Sequence, residues 1–308
     1  MIPLRRALLQ AGAALALGAC RDDKKLPEPA MESPARPPPP GGSWRTLDFP
    51  PTPDLPEGER ALFLLPDDPP SAPLLIALHG RGEAGRGLEI GAGAWPRDYA
   101  LDRLHRRLLA PPLTADDLQR MQSPARLQRL NDSLAAKPYK GLCVACPATP
   151  VLADRSVEGA EAFGRFLIDT LVPRARAEAR CPARREATGI DGVSMGGRIA
   201  LFVGLSHPEV FGVVGALQPA LREDEAPLIA ALAKRAFAKA SVVLRLVSSE
   251  EDPFLPAVRA ASAALRAEGI AHELLVIPGT HGYEFNRGPG GVEMLLWHER
   301  MQRALPPP

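Results

Sequence analysis

The chain has 308 residues, and its 37 Lys and Arg against 36 Asp and Glu leave a formal net charge of +1. No basic cluster interleaves with aromatic residues, so nucleic acid is excluded as an expected partner. Without H-E-x-x-H or a P-loop in the sequence, metal or nucleotide chemistry has no anchor, and neither cofactor nor metal is expected.

At the N-terminus, Arg5-Arg6 precedes an apolar stretch from Ala7 to Ala19 and then Cys20. That stretch is too short to span a bilayer and has signal-peptide proportions. Leu17-Gly18-Ala19-Cys20 resembles a bacterial lipobox, which implies lipidation of Cys20, and the paired arginines resemble a twin-arginine signal. Residues 21–43 are charged and then proline-rich, ending in Pro37-Pro38-Pro39-Pro40-Gly41-Gly42. Such a segment lacks apolar surface and backbone donors, so an extended tether is expected. The expected organisation is a signal over 1–20, a tether over 21–43 and one domain over 44–308. A lipid on Cys20 would hold that domain beside a membrane of a bacterial cell envelope.

Within the domain, strands are predicted near Trp44–Phe49, Ala61–Leu65, Leu74–Leu78, Gly141–Cys146, Ala187–Asp191, Val213–Leu217, Val242–Val247 and Glu273–Ile277. Helices are predicted near Ser156–Arg180, Gly196–Ser206, Pro227–Ala238, Pro256–Glu268 and Val292–Ala304. Apolar strands alternating with helices predict an α/β fold, its mostly parallel sheet covered on both faces. The first two strands follow each other without a helix, so the sheet is expected to start antiparallel. After the third strand comes an insertion of about sixty residues, far longer than an ordinary crossover. It emerges at the carboxyl edge of the sheet, where ligands bind, and is expected to cap the site in part. Cys143-Val144-Ala145-Cys146 lies in a strand, where residues three apart point to opposite faces. Free buried thiols are expected there, with one disulfide involving Cys181 as the alternative in an oxidising compartment.

The strand ending at Asp191 runs into Gly192-Val193-Ser194-Met195-Gly196 and then into a helix, the setting a G-x-S-x-G match requires. A sharp strand-to-helix turn would present the Ser194 hydroxyl clear of the sheet as a nucleophile. A serine nucleophile needs a base, and the base needs a carboxylate to orient it. Of six histidines, His281 alone sits on a glycine-flanked loop after the last strand, at the carboxyl edge. Asp252 follows the preceding strand, its direction set by Pro253; Glu250, Glu251 and Asp224 are alternatives. Backbone donors for an oxyanion are expected from Met195, at the start of the helix, and from the turn His79-Gly80-Arg81-Gly82, Arg81 first and Gly80 or Gly82 as alternatives. The run Gly80 to Gly85 is formally G-x-G-x-x-G, but it opens no helix and no acid-ended strand follows, so a dinucleotide site is not expected.

Leu78-His79-Gly80-Arg81-Gly82, Gly192-Val193-Ser194-Met195-Gly196-Gly197, Glu251-Asp252-Pro253-Phe254 and Gly279-Thr280-His281 resemble motifs of the α/β-hydrolase superfamily. The likeness runs from about Leu62 onward and is nearest to the branch with esterase D, feruloyl esterases and polyhydroxybutyrate depolymerases. It implies the α/β-hydrolase fold and a carboxylic-ester hydrolase with Ser194, Asp252 and His281 at the catalytic positions. Acyl transfer by the same three residues, and a silent hydrolase-fold binding lipoprotein, are the alternatives. For a small-molecule ester, Trp95 and Tyr99 in the insertion are candidate pocket walls. Gln218, Tyr283 and Asn286 follow strands at the same edge and are candidate polar contacts. These favour a small or medium polar ester over a long-chain lipid.

Overall fold

The computed structural model describes residues 41–53 and 55–308. Eight strands form one sheet: β1 (Ser43–Phe49), β2 (Glu59–Leu65), β3 (Leu74–Leu78), β4 (Cys143–Pro147), β5 (Thr188–Gly192), β6 (Val213–Leu217), β7 (Val243–Glu251) and β8 (Glu273–Thr280). Their order is β1-β2-β4-β3-β5-β6-β7-β8. The β1/β2 and β2/β4 pairs are antiparallel and every later pair is parallel. The order reverses around β3, so the chain crosses the sheet there and the carboxyl ends of β3 and β5 open beside each other.

In chain order the helices are α1 (Leu88–Ala92), α2 (Leu101–Leu109), α3 (Pro124–Ala136), α4 (Val157–Arg165), α5 (Val172–Ala179), α6 (Met195–Ser206), α7 (Ala226–Lys239), α8 (Leu255–Ala267), α9 (Tyr283–Phe285) and α10 (Gly291–Gln302). Period-two alternation in the buried strands divides the interior into two cores. Leu74, Ile76 and Leu78 of β3 face one core with residues of α4 to α8, whereas Leu75 and Ala77 face the other with α2, α3 and α10. Helices thus cover both faces of an α/β-hydrolase sheet. Cys143 lies in the first core and Cys146 in the second. Both, with Cys181, are buried free thiols.

Residues 41–43, at the end of the expected tether, already contact the domain. Gly41 is buried and its carbonyl lies 2.6 Å from His105 Nε2, while Ser43 already pairs with Leu65. The signal expected over 1–20, Cys20 included, and residues 21–40 of the tether lie outside the described residues. Among the described residues no helix is long and apolar enough to cross a membrane.

The insertion is mostly a core layer and only partly a border of the site. Leu101, Leu104 and Leu108 of α2 and Leu130 and Leu134 of α3 pack with Val292, Leu295 and Leu296 of α10. Their apolar stripes are satisfied against the sheet face, so α2 and α3 have no surface left for a lid. The head of the insertion, from Gly80 to Tyr99, reaches the carboxyl edge, and Met121 packs there against Gly279 at the end of β8.

Glu59, at the start of β2, is 4% exposed, and burial raises its carboxyl from 4.5 to about 8. A carboxyl raised by folding is neutral in both states at low pH and ionises more readily in the unfolded chain. Stability is therefore lost as pH rises from about 4.5 towards 8, by on the order of 4 kcal/mol. Glu59→Gln keeps an acceptor for the Arg60 N–H, now 2.8 Å from Glu59 Oε1. The variant is expected to gain Tm over the wild type at pH 8.5 and little at pH 5. Equal differences at both pH values would contradict this origin.

Candidate active site

The turn between β5 and α6 holds Ser194 at φ +57° and ψ −116°. This backbone conformation costs about 1–3 kcal/mol for a residue with a side chain and persists only where neighbours fix it. Here the Ser194 N–H donates to Leu217 O (2.9 Å), and the Ser194 carbonyl accepts from Arg198 N–H (3.1 Å) and Ala220 N–H (2.9 Å). A Cβ at Gly192 would stand 2.6 Å from the Gly196 carbonyl carbon, and one at Gly196 would stand 2.5 Å from His79 O. The start of α6 passes too close to β5 at 192 and to the end of β3 at 196 for a side chain at either position, which is why the turn reads G-x-S-x-G.

Ser194 Oγ lies 3.0 Å from His281 Nε2, and His281 Nδ1 lies 2.9 Å from Asp252 Oδ1. The carboxylate is buried at 4% exposure. It also accepts from the Phe254 N–H (3.0 Å, Oδ1) and the Ser248 hydroxyl (2.6 Å, Oδ2). Those two donors fix its orientation, so His281 keeps Nδ1 as donor and turns Nε2 toward the serine. Phe254 packs edge-on against the imidazole, centroids 5.2 Å apart. The alternatives for the acid are placed elsewhere: β7 runs on to Glu251, leaving Glu250 and Glu251 exposed, and exposed Asp224 pairs with Arg222.

On the donor side, one of the candidate N–H groups in the turn after β3 is already engaged. The Gly80 N–H is committed to the Tyr99 hydroxyl at 3.1 Å. His79 Nε2 accepts the Thr149 N–H (2.7 Å), which leaves Nδ1 to donate to Gly80 O (2.8 Å). Burial lowers the His79 pKa, consistent with this neutral tautomer. Gly80 O and Arg81 N–H share one planar trans peptide and point opposite ways, so holding the carbonyl aims the Arg81 N–H. Arg81 and Met195 both line the space beside Ser194.

Two cavities meet at Ser194. One, of about 280 Å³, is walled mainly by Val151, Leu152, Met195, Ile199 and Phe254, with Arg81 and Arg155 bordering it. The other, of about 190 Å³, is lined by Gly80 to Glu83, Tyr99, His281, Tyr283 and Asn286. Arg198 also reaches the first cavity, but its guanidinium is held by Glu225.

Two expected pocket residues are not in either cavity. Trp95 is fully buried in the second core, its ring edge-on to Tyr99 at 4.9 Å. It is a prop behind Tyr99, because the π-helical turn Ala94–Asp98 that carries it faces the indole inward. Gln218 is also fully buried; its Nε2 donates to Ser249 Oγ (2.6 Å) and Thr280 O (2.9 Å), bracing the ends of β7 and β8. Tyr99, Tyr283 and Asn286 do line the smaller cavity. The Tyr99 hydroxyl donates to Glu83 Oε2 at 2.7 Å and the Tyr283 hydroxyl to Glu83 Oε1 at 2.5 Å. Burial and Glu83 raise the Tyr99 pKa, while the Glu83 bond pushes Tyr283 up to about 12. The sequence reading missed Glu83 and Ser248; each becomes visible only once its partners on other segments are in place. Among the described residues no group of three or more His, Cys, Asp or Glu could hold a metal ion.

Residues 144–283 match the family described as "Putative esterase". No curated protein matches the chain. Among solved structures, a ferulic acid esterase superposes with a TM-score of 0.63 at 16% identity, covering 85% of this chain and 99% of its own. A fluorophosphonate-binding serine hydrolase of Staphylococcus aureus gives 0.57 at 14% identity, covering 86% and 97%. A ferulic acid esterase of Anaeromyces mucronatus gives 0.53 at 16%, covering 87% and 93%. By these superpositions the chain has the α/β-hydrolase fold, and its segment 144–283 is similar to the esterase family.

Proposed function

We propose that the protein hydrolyses carboxylic esters through Ser194, His281 and Asp252. The observation that carries this reading is the unbroken line from Ser194 Oγ to His281 Nε2 (3.0 Å) and from His281 Nδ1 to Asp252 Oδ1 (2.9 Å). Ser194 attacks the ester carbonyl as His281 takes its proton, and the Met195 and Arg81 N–H groups receive the oxyanion. His281 then protonates the leaving alcohol, and water, activated by the same imidazole, releases the acid. The alcohol must stand next to His281 Nε2 to receive that proton. It therefore occupies the smaller cavity, which His281 lines, and the acyl group enters the larger one. A volume of about 280 Å³ suits a small or medium acyl group. Reaction with a fluorophosphonate and cleavage of short p-nitrophenyl esters test the reading. An unlabelled, inactive but folded protein would contradict it and favour the silent binding alternative. Products formed on an added alcohol at the expense of acid would favour acyl transfer.

The proposal extends to the cell envelope. The support is the run Leu17-Gly18-Ala19-Cys20 after its short apolar stretch. In a bacterial host, palmitate labelling is expected in the wild type and absent from Cys20→Ser. An unlabelled wild type would remove the lipid anchor from the proposal.

A further inference from the structure

One carboxylate bridges the two loops on which the proposed chemistry depends. Glu83 is 1% exposed and pairs with no arginine or lysine; His79 Nδ1 lies 4.0 Å away and is committed to Gly80 O. Its two oxygens are instead divided between two phenols, Tyr99 from the insertion and Tyr283 from the histidine loop. Those rings lie 5.7 Å apart, centroid to centroid. Burying a charge without a cation is costly unless strong donors satisfy it, and two phenol hydroxyls at 2.7 and 2.5 Å do so.

The consequence lies in what each phenol holds. Tyr99 passes the bond on to the Gly80 N–H (3.1 Å), one residue before Arg81. Tyr283 stands two residues after His281. Arg287, further along the same loop, donates to Asp98 O at 2.6 Å, tying the loop to the segment that carries Tyr99. We propose that Glu83 is a positioning residue that, through Tyr99 and Tyr283, sets the oxyanion turn against the His281 loop. The inference rests on the ester-hydrolase reading for its kinetic consequence and on the hydrogen bonds alone for its structural one.

A carboxylate accepts from both phenols at once, whereas an amide has one oxygen and must turn its NH2 toward the other phenol. Glu83→Gln therefore relaxes one arm without leaving a buried charge, and Tyr283→Phe removes one arm outright. Each is expected to lower kcat ~10–100-fold with KM changing far less, because the donor and base shift relative to the serine. Inhibition by an alkyl boronic acid, which forms a tetrahedral adduct on serine, should weaken in parallel, with Tm nearly unchanged. The double variant should be no slower than the worse single one, since both act through one carboxylate. Wild-type kcat in Glu83→Gln, or a loss that follows Tm or falls equally on KM, would overturn the proposal. Hydrogen exchange read at residues 79–83 and 281–285 separates this result from failure of the hydrolase reading. If the wild type proves inactive, faster exchange at both loops in Glu83→Gln still supports the clamp, and unchanged exchange removes it.

Discussion

Ser194→Ala is expected to lower kcat for ester hydrolysis by roughly four to six powers of ten, on the order of 5–8 kcal/mol in transition-state stabilisation. The substitution removes the proposed nucleophile and leaves His281 and Asp252 paired at 2.9 Å, so the fold around them is retained. The proposed oxyanion donors and both cavities also remain, so substrate affinity should change little. Alanine cannot be phosphonylated, and fluorophosphonate labelling should vanish with activity. Stopped assays on p-nitrophenyl acetate, with intact mass spectrometry of the treated protein, measure both. Labelling retained in the variant would show that another residue is the nucleophile.

Glu293→Ala is expected to cost about 3–5 kcal/mol of stability, because it strands buried charge far from the reacting groups. Glu293 on α10 is fully buried and accepts from Arg126 at 2.8 Å (Nε to Oε1) and 2.6 Å (NH2 to Oε2). Arg245 of β7, also buried, approaches Oε2 at 3.3 Å and stands over the Trp297 ring at 4.4 Å. Burial already lowers the Arg245 pKa, so its charge depends on this carboxylate. Removing it leaves the two guanidinium groups with only carbonyl partners, Pro308 O for Arg126 and the 293 backbone carbonyl for Arg245, and without the carboxylate between them. A fall in Tm on the order of 10 °C, read by calorimetry, is the expected result. kcat of the remaining folded protein should stay near the wild-type value. An unchanged Tm would mean that water or Glu273 replaces the carboxylate.

All eight strands and the five long helices after β4 were legible in the sequence, most of them as apolar or amphipathic runs of the right length between glycine, proline or charged breaks, and β1 and β5 by their position beside clearer neighbours. Boundaries drifted where pairing continues past the apolar run. β7 extends through Ser248 and Ser249 to Glu251 because β8 lies alongside to accept it. The serine turn was legible for a stronger reason: the approach of α6 to β5 forbids a side chain at 192, the approach of α6 to the end of β3 forbids one at 196, and both prohibitions are written in the sequence as glycine.

The residues that set direction were not legible. Trp95 reads as an aromatic wall until the turn Ala94–Asp98 places it in the core, and Gln218 reads as a ligand contact until Ser249 and Thr280 claim its amide. Glu83 reads as part of a glycine-rich turn until Tyr99 and Tyr283, distant in sequence, meet it. The sequence by itself determined the order of elements, the strained serine turn and which residue types stood at the carboxyl edge, because periodicity and steric exclusion act over a few neighbouring residues. Only the tertiary structure decided which of those residues face the cavities, which prop them from behind and which carboxylate joins the two loops. Burial and hydrogen-bond partnership are properties of segments brought together from across the chain, and no local pattern encodes them.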